Sequence, residues 1–168
     1  MSYPDKKNSL AYIALGSNLE DPFKQIQSAI EKIKKLPDTN FLKCSSLYKS
    51  KAVGLLNQPD YINAVAEIDT TLTPVELLDK LLKIELQHGR VRTFRNAPRT
   101  LDLDILLYGN LQFSDDRLTI PHPRMTQRAF VLLPLMEIAP HCEIPEHGKI
   151  SQLITACSNQ KIEQLNIS

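Results

Sequence analysis

The chain has few cysteines, no long apolar run and almost no net charge, and each shortage excludes a class of protein. Its three cysteines are odd in number and lack metal-site spacing, so we expect free thiols in a reducing, cytoplasmic compartment. The longest apolar stretch, AFVLLPLM, contains Pro134 and falls far short of the ~18 residues of a membrane span, and MSYPDKKNSL has no signal core. A net charge of +1 gives no global argument for nucleic acid or a membrane surface as partner.

Two local absences say more. The motif GxxxxGK[ST] is missing, which excludes a Walker-type NTPase. Lysine is missing between Ile84 and Gly148, whereas all seven arginines lie within residues 90–128. Guanidinium, unlike ammonium, offers a planar fork to phosphate oxygens, so this bias favours a phosphate ligand. The alternative is chance together with structural salt bridges to nearby acids, namely Asp102, Asp104, Asp115 and Asp116.

The segment RTLDLDILL, residues 99–107, alternates like a strand and places two carboxylates on one face. Alternation predicts Leu101, Leu103, Ile105 and Leu107 on one side, with Asp102, Asp104 and Leu106 on the other. Same-face neighbours in a strand lie about 6.5 to 7 Å apart, so the two acids can reach a common point but also repel each other. A ligand that prefers both ionised would explain the pair.

The remaining patterns predict an α+β fold with a ferredoxin-like βαββαβ core. LAYIALG, FLKCSSLY, YINAVAEI and RTLDLDILL predict the four strands. Asp21 and Pro22 begin one helix, and Thr73, Pro74 and Glu76 form a capping box for the next, which Gly89 can end. The first helix should bury one apolar stripe, made of Phe23, Ile26, Ile30 and Ile33.

In this arrangement both helices cover one face of the sheet and leave the other free for a site. Extra C-terminal helices are expected near residues 130–139 and 149–158, after a turn around Gly109 and Asn110. We expect residues 10–168 to form a single domain and residues 1–9 a flexible N-terminal segment.

Residues 89–101 bring four arginines directly to the strand that bears Asp102 and Asp104. Carboxylates alone would repel a phosphate. Mg²⁺ resolves the conflict, because it binds one or two carboxylates together with phosphate oxygens while arginine neutralises the remaining charge. The combination predicts a magnesium-dependent phosphoryl-transfer site.

Four segments together resemble one known family. ALGSNL, QPDYINAV, RNAPRTLDLDILL and PHPRMTQRAFVLLPLMEIAP are similar, in order and spacing, to the 6-hydroxymethyl-7,8-dihydropterin pyrophosphokinases of folate biosynthesis, over residues 10–165. The resemblance implies a ferredoxin-like core, ATP as donor and two Mg²⁺ ions. It further implies transfer of the β,γ-diphosphate to the pterin hydroxymethyl group, with release of AMP.

The resemblance also implies roles for individual residues. The catalytic set is Arg90, Arg92, Arg99, Asp102 and Asp104, of which the two aspartates bind the metal. The nucleotide set is Arg92, Ile105, Arg117, Thr119, His122, Pro123 and Arg128. The pterin set is Ser50, Val53, Gly54, Tyr61, Asn63 and Phe130. Tyr61 and Phe130 would form aromatic walls, and the Asn63 amide would bind the ring edge.

Purely structural roles are the alternative for several of these positions. By sequence alone Phe130 fits an apolar core, His122 a surface turn, and Asn63 a solvent-facing or bulged strand position. Glu85 either supports site residues from behind or is an acid on the helix surface, and we do not assign it to the site.

The chain departs from the family in two places. Family members often carry a tryptophan in the catalytic loop, and this chain has none, so Phe94 is the only aromatic residue there. Pro123 follows His122 where the family has tyrosine. We still expect residues 89–101 to close over bound MgATP, because anions would neutralise four mutually repelling arginines.

An RNA-binding ferredoxin-like module is the alternative function. Such modules stack bases on aromatic residues of the central strands, and here only Tyr12 and Tyr61 are available. Asp102 and Asp104 would also repel an RNA backbone. We therefore expect ATP and the pterin as partners, no nucleic acid and no membrane. We also expect a monomer, and no room in this length for a fused dihydropteroate synthase.

Overall fold

A computed structural model of the chain describes residues 7–51, 59–89 and 101–165. In these ranges the chain forms a mixed α/β fold with an antiparallel sheet. The strands are β1 (Ser9–Ser17), β2 (Thr39–Cys44), β3 (Leu47–Ser50), β4 (Tyr61–Thr70), β5 (Asp102–Tyr108), β6 (Phe113–Ser114), β7 (Thr119–Ile120), β8 (Glu143–Ile144), β9 (Gly148–Lys149) and β10 (Ile162–Leu165). The helices are α1 (Pro22–Lys34), α2 (Pro74–Gln87), α3 (Ala129–Ile138) and α4 (Ile150–Leu153).

Both predicted helix starts are confirmed. The Asp21 carboxylate accepts the Lys24 N–H at 3.4 Å, and the Thr73 hydroxyl accepts the Glu76 N–H at 3.2 Å. After α2 the chain turns at Gly89, whose φ of 75° suits glycine. The predicted stripe of α1 is wrong at its first residue, because Phe23, in the first turn of the helix, is 42% exposed. The fully buried face of α1 consists instead of Ile26, Ala29 and Ile33.

The main sheet has the strand order β10-β3-β4-β1-β5, and β2 also pairs with β4. The single strand expected at 41–48 is divided in two. At the break, the Ser46 N–H donates to the Glu137 carboxylate of α3 at 2.8 Å rather than to a strand. The Ser45 hydroxyl accepts the Val65 N–H at 2.9 Å, which holds the break against β4. The two halves therefore pair with opposite ends of the same long strand.

Each face of the sheet has its own apolar core. On the first face, α1 and α2 cover buried residues that include Ile13, Ile68 and Leu103. On the second face, α3 packs over a cluster that includes Val65 and Leu106. The prediction that this second face stays free is therefore wrong for its middle, where the apolar sequence of α3 is buried. Among the described residues, α3 leaves both ends of the second face uncovered, and each end contains a cavity.

Strand β5 contains a bulge that sequence alternation did not predict. Leu107 pairs with Tyr12 and Ile105 with Ile13, so Leu106 has no partner on β1. Leu106 and Leu107 consequently both belong to the second core, whereas Tyr108 packs against the first. The prediction that Leu107 shares a face with Ile105 is wrong for this reason.

The C-terminal region follows the predicted order with shorter elements. Helix α3 matches the expected 130–139, while the expected helix at 149–158 is α4 followed by a 3₁₀ turn, Ile154–Cys157. The turn at Gly109 and Asn110 is present, with the Leu111 N–H bonded to the Tyr108 carbonyl. Residues 1–6 of the expected N-terminal segment lie outside the described ranges. Across those ranges, no helix has the length and apolar character needed to cross a bilayer.

Candidate active site

A cavity of about 410 Å³ opens at the end of the second face where β1 finishes and β5 begins. Strand residues form its floor, and the segment 122–131 forms one wall. Its lining combines two acids, three basic side chains, two aromatic rings and an amide, namely Asp102, Asp104, Lys51, Arg124, Arg128, Tyr61, Phe130 and Asn63. This mixture suits a ligand that is part polyanion and part flat heterocycle.

The acids reach the cavity because they alternate along β5. Asp102 pairs with Gly16 and Asp104 with Ala14 on β1, so both side chains leave the sheet on the second face. Each is half-buried. Their spacing follows from the strand geometry, at about 6.5 to 7 Å between the Cα atoms.

The bulge in β5 brings His122 to the same cavity. Leu106, without a partner on β1, accepts the His122 N–H through its carbonyl at 3.0 Å. The imidazole Nδ1 accepts the Arg124 N–H at 3.2 Å, which leaves the ring proton on Nε2. Burial, reinforced by the Arg128 guanidinium, lowers the pKa of His122 to about 4. The ring is therefore neutral at pH 7 and offers an N–H donor.

Helix α3 begins at the cavity wall. The Arg128 carbonyl accepts the N–H groups of Val131 and Leu132, both at 3.0 Å, which starts the helix. The Arg128 guanidinium carbon lies 5.4 Å from the centre of the Phe130 ring, within cation–π range. A positive side chain and an aromatic face are thereby held next to each other at a helix N-terminus, which also favours anions.

The amide of Asn63, on β4, also lines the cavity and is held by Ser50. Asn63 Nδ2 donates to the Ser50 hydroxyl at 2.8 Å, and both residues are buried. Gly16 faces Asn63 across the β1–β4 pair. A Cβ atom at Gly16 would lie 3.4 Å from Asn63 Oδ1 and 3.9 Å from Tyr61 Cδ1. The absence of a side chain at Gly16 therefore leaves the amide and the tyrosine ring room at the cavity floor.

The structure brings together nine of the residues that sequence nominated, and leaves three others apart. Those that line the cavity are Ser50, Tyr61, Asn63, Asp102, Asp104, His122, Pro123, Arg128 and Phe130. Arg117 instead pairs with Asp79 on α2, and Thr119 bonds to Ser114. The Ile105 side chain packs in the first core, so contact with a nucleotide would fall to its main chain. Val53, Gly54, Arg90, Arg92 and Arg99 lie outside the described residues.

Eight lining residues were not nominated from sequence, and three of them, Gly16, Lys51 and Arg124, bear on the chemistry of the cavity. Gly16 sits in ALGSNL, and a glycine at the end of an apolar strand was the available signal for a close approach. Arg124 is one of the seven arginines in residues 90–128, and the arginine bias did not distinguish it from the other six. Lys51 follows β3 and carried no signal, because isolated lysines occur throughout the first half of the chain.

The donor set fits a metal that is shared with a ligand. In the described part of the chain, no three His, Cys, Asp or Glu side chains are grouped as a protein-only metal site would need. Two carboxylates on one cavity wall are, however, the usual protein contribution to a Mg²⁺ ion that takes its other ligands from phosphates and water. Asp102 and Asp104 thus suit a metal delivered with a nucleotide.

Comparison with known proteins points to one family. The model of the family described as 7,8-dihydro-6-hydroxymethylpterin-pyrophosphokinase (HPPK) matches residues 12–140. A 2-amino-4-hydroxy-6-hydroxymethyldihydropteridine pyrophosphokinase of Haemophilus influenzae is 50% identical over 93% of this chain and 98% of its own length. The protein of the same name from Pseudomonas aeruginosa is 47% identical, over 92% of this chain and 95% of its own.

Solved structures agree at the level of fold. Wild-type Plasmodium falciparum HPPK-DHPS, crystallised with pterin and p-hydroxybenzoate, superposes with a TM-score of 0.70. The match covers 91% of this chain and 44% of the longer one at 15% sequence identity. At that identity the likeness concerns the fold alone.

Proposed function

The chain belongs to the 7,8-dihydro-6-hydroxymethylpterin-pyrophosphokinase family, and from this premise we propose how its cavity performs the reaction. The hydroxymethyl oxygen of 6-hydroxymethyl-7,8-dihydropterin attacks the β-phosphorus of ATP and loses its proton to water. The bond between that phosphorus and the oxygen bridging to the α-phosphate breaks, so AMP leaves and the pterin carries the diphosphate. The observation that carries this proposal is the meeting of Asp102 and Asp104 with an amide and two aromatic rings in one cavity.

Asp102 and Asp104 would hold Mg²⁺ together with the triphosphate. When bound, Mg²⁺ supplies charge neutralisation and alignment of the reacting oxygens. The carboxylates themselves contribute by lying on one face of a strand, which fixes where the phosphates can sit. Two ions, as the family implies, would be held by these two acids together with phosphate oxygens and water.

Asn63, Tyr61 and Phe130 would hold the pterin. Ser50 accepts one of the two Nδ2 hydrogens of Asn63, so the amide oxygen and the second N–H would bind an acceptor-and-donor edge of the ring. The two aromatic side chains on the cavity lining suit a flat heterocycle that stacks on rings. The predicted contacts of Val53 and Gly54 remain part of the proposal.

On the nucleotide side, Arg128 and His122 would bind phosphate oxygens. A neutral imidazole donates its Nε2–H without adding charge, and the guanidinium supplies the charge. Arg90, Arg92 and Arg99 complete the proposed catalytic set as stabilisers of the charge that moves toward AMP. Arg117, Thr119, Pro123 and the main chain of Ile105 complete the proposed nucleotide contacts.

Three broader proposals accompany this function. The order β3-β4-β1-β5, with α1 and α2 on one face, supports a ferredoxin-like core. Three free cysteines support a reducing cytoplasm, and a monomer remains our expectation. The RNA-binding alternative finds no support, since the relatives are pyrophosphokinases and two acids line the cavity.

The experiment is direct detection of products. The purified chain is incubated with ATP, Mg²⁺ and 6-hydroxymethyl-7,8-dihydropterin, and AMP and the pterin diphosphate are measured by mass spectrometry. We expect the two products in equal amounts, and neither when Mg²⁺ or the pterin is omitted. ADP in place of AMP would contradict diphosphate transfer.

A further inference from the structure

A buried carboxylate behind the cavity has no role in the function described so far. Glu85 lies on the core-facing side of α2, four residues after Leu81 and eight after Leu77, where an amphipathic helix normally places leucine. Its side chain is only 1% exposed. The position is also close to the C-terminus of α2, where the helix dipole disfavours negative charge. Two separate costs therefore oppose an acid here.

The partner of Glu85 explains its presence. Glu85 Oε2 accepts the Leu103 N–H at 2.7 Å, a short hydrogen bond within the buried interior. Leu103 is the residue between Asp102 and Asp104. The bond therefore attaches α2 to β5 at the midpoint of the two acids that line the cavity.

Sheet pairing alone holds the register of the first half of β5, Asp102–Ile105, only weakly. In the sheet that the described residues form, β5 is the last strand of the order, so β1 is its only strand neighbour. The bulge at Leu106 interrupts that pairing, which leaves Asp102–Ile105 as a short segment whose register is not carried over from Leu107 and Tyr108. A slip of one residue would turn both carboxylates to the other face of the sheet.

We infer that Glu85 is a positioning residue for the pair of acids. By accepting the Leu103 N–H, Glu85 fixes the register of Asp102–Ile105 on β1 and its position relative to α2. Both carboxylates then face the cavity at the spacing that a nucleotide-bound metal needs. Glu85 itself contacts neither substrate in this scheme. The part that concerns metal rests on the proposed function, whereas the anchoring of Leu103 does not.

Two conservative variants separate the reach of the acceptor from its charge. Glu85→Gln keeps an oxygen at the same distance and removes the charge. Glu85→Asp keeps the charge and withdraws the oxygen by one methylene. Glu67→Gln and Glu67→Asp are the matched controls, because Glu67 is a buried acid, 8% exposed, on the same sheet but outside this cavity.

Two measurements are made on each variant. Hydrogen exchange of the Leu103 amide is followed by NMR, and Mn²⁺ affinity is measured by electron paramagnetic resonance in the presence of α,β-methylene-ATP. For Glu85→Asp we expect Leu103 exchange to accelerate at least tenfold and Mn²⁺ affinity to fall about tenfold, with a higher Mg²⁺ concentration for half-maximal turnover. For Glu85→Gln and both Glu67 variants we expect each quantity within about threefold of wild type.

Two results would overturn the inference. One is unchanged Leu103 exchange and Mn²⁺ affinity in Glu85→Asp. The other is a larger loss in Glu85→Gln than in Glu85→Asp, which would mean that the charge matters rather than the anchored amide. If the wild type itself binds no Mn²⁺ with the analogue, the proposed function fails, and Leu103 exchange still decides whether Glu85 anchors β5.

Discussion

Two cavities open on the same face of the sheet, at opposite ends of β1 and β4, and the larger one is not the candidate site. The far cavity, about 610 Å³ against about 410 Å³, is lined by Tyr12, Glu67 and Cys142 among others. There the buried carboxylate of Glu67 accepts the Tyr12 hydroxyl at 2.5 Å, a pairing that the fold completes by itself. At the candidate site, two acids line the same cavity as arginine, histidine and an amide. The chemistry of the lining, and not its volume, distinguishes the two.

The two ends also differ in how the strands supply their polar groups. Along β4, Tyr61 and Asn63 face the candidate site, Val65 lies under α3, and Glu67 faces the far cavity. One alternating strand thus provides an amide that lines the candidate site at one end and an acid paired with Tyr12 at the other. Substitution of Asn63 should therefore affect catalysis, whereas substitution of Glu67 should affect the stability of the fold.

The largest expected effect is loss of the site acids. Asp102→Ala or Asp104→Ala should lower turnover by roughly 10³-fold or more, because each removes a proposed metal ligand worth several kcal/mol in the transition state. Glu67→Gln, at the far end, should keep turnover within about twofold. AMP release at saturating Mg²⁺ measures both. Near-normal turnover in both aspartate variants would remove the basis for a metal at this end.

Removal of the amide should give the next largest effect. Asn63→Ala should raise the KM for the pterin by roughly 10- to 100-fold, because a ring N–H loses its acceptor, with a smaller effect on the KM for ATP. Ser45→Ala is the control, since Ser45 is also buried and bonds to β4 but lies outside the cavity. If Ser45→Ala changes the pterin KM as much as Asn63→Ala does, the assignment of Asn63 to the pterin is wrong.

A smaller effect is expected at the cavity floor. Gly16→Ala would place a methyl group 3.4 Å from Asn63 Oδ1, at the near limit of ordinary van der Waals contact, so it would crowd the amide oxygen. We expect pterin affinity to fall by roughly threefold to tenfold, because the amide hydrogen bond is weakened but not lost. Isothermal titration with the pterin and the ATP analogue measures this. An unchanged affinity would place the pterin away from Gly16.

The smallest effect concerns pH at the far end. Burial, followed by the hydrogen bond to Glu67, raises the pKa of Tyr12 above its ordinary value. A raised pKa means that the unfolded chain ionises first, so this stability is present below about pH 10 and is lost as pH rises beyond it. Tyr12→Phe should therefore show a shallower fall in the free energy of unfolding between pH 9.5 and 11 than wild type, measured in urea. Equal slopes in the two proteins would contradict the pairing of Tyr12 with Glu67. The pKa of Tyr48 is also raised, and its contribution to the slope is the same in both proteins.

Sequence alone predicted the elements whose signals are local. Asp21 with Pro22, and Thr73 with Pro74, marked the helix starts because capping depends on three or four adjacent residues. The alternation around Asp102 and Asp104 was sufficient to place both acids on one face. Motif resemblance then supplied the nucleotide and pterin sets, which no periodicity contains.

Features that depend on distant partners were not predictable in this way. The bulge at Leu106 arises from pairing with β1 and from the His122 N–H, so alternation placed Leu107 on the wrong face. The division of the second strand requires Glu137, 91 residues beyond Ser46. Glu85 gave no signal beyond being an acid on a leucine-rich helix, because its meaning depends on the Leu103 amide.

The central claim is that Asp102 and Asp104 hold the metal of a nucleotide whose β-phosphate faces a pterin bound at Asn63. A crystal structure of the chain with Mn²⁺, α,β-methylene-ATP and 6-hydroxymethylpterin tests it most directly, because anomalous scattering locates the metal. We predict Mn²⁺ within about 2.3 Å of a carboxylate oxygen of each aspartate, with the pterin against Tyr61 and Phe130. Manganese bound away from both aspartates, or a pterin outside this cavity, would contradict the claim.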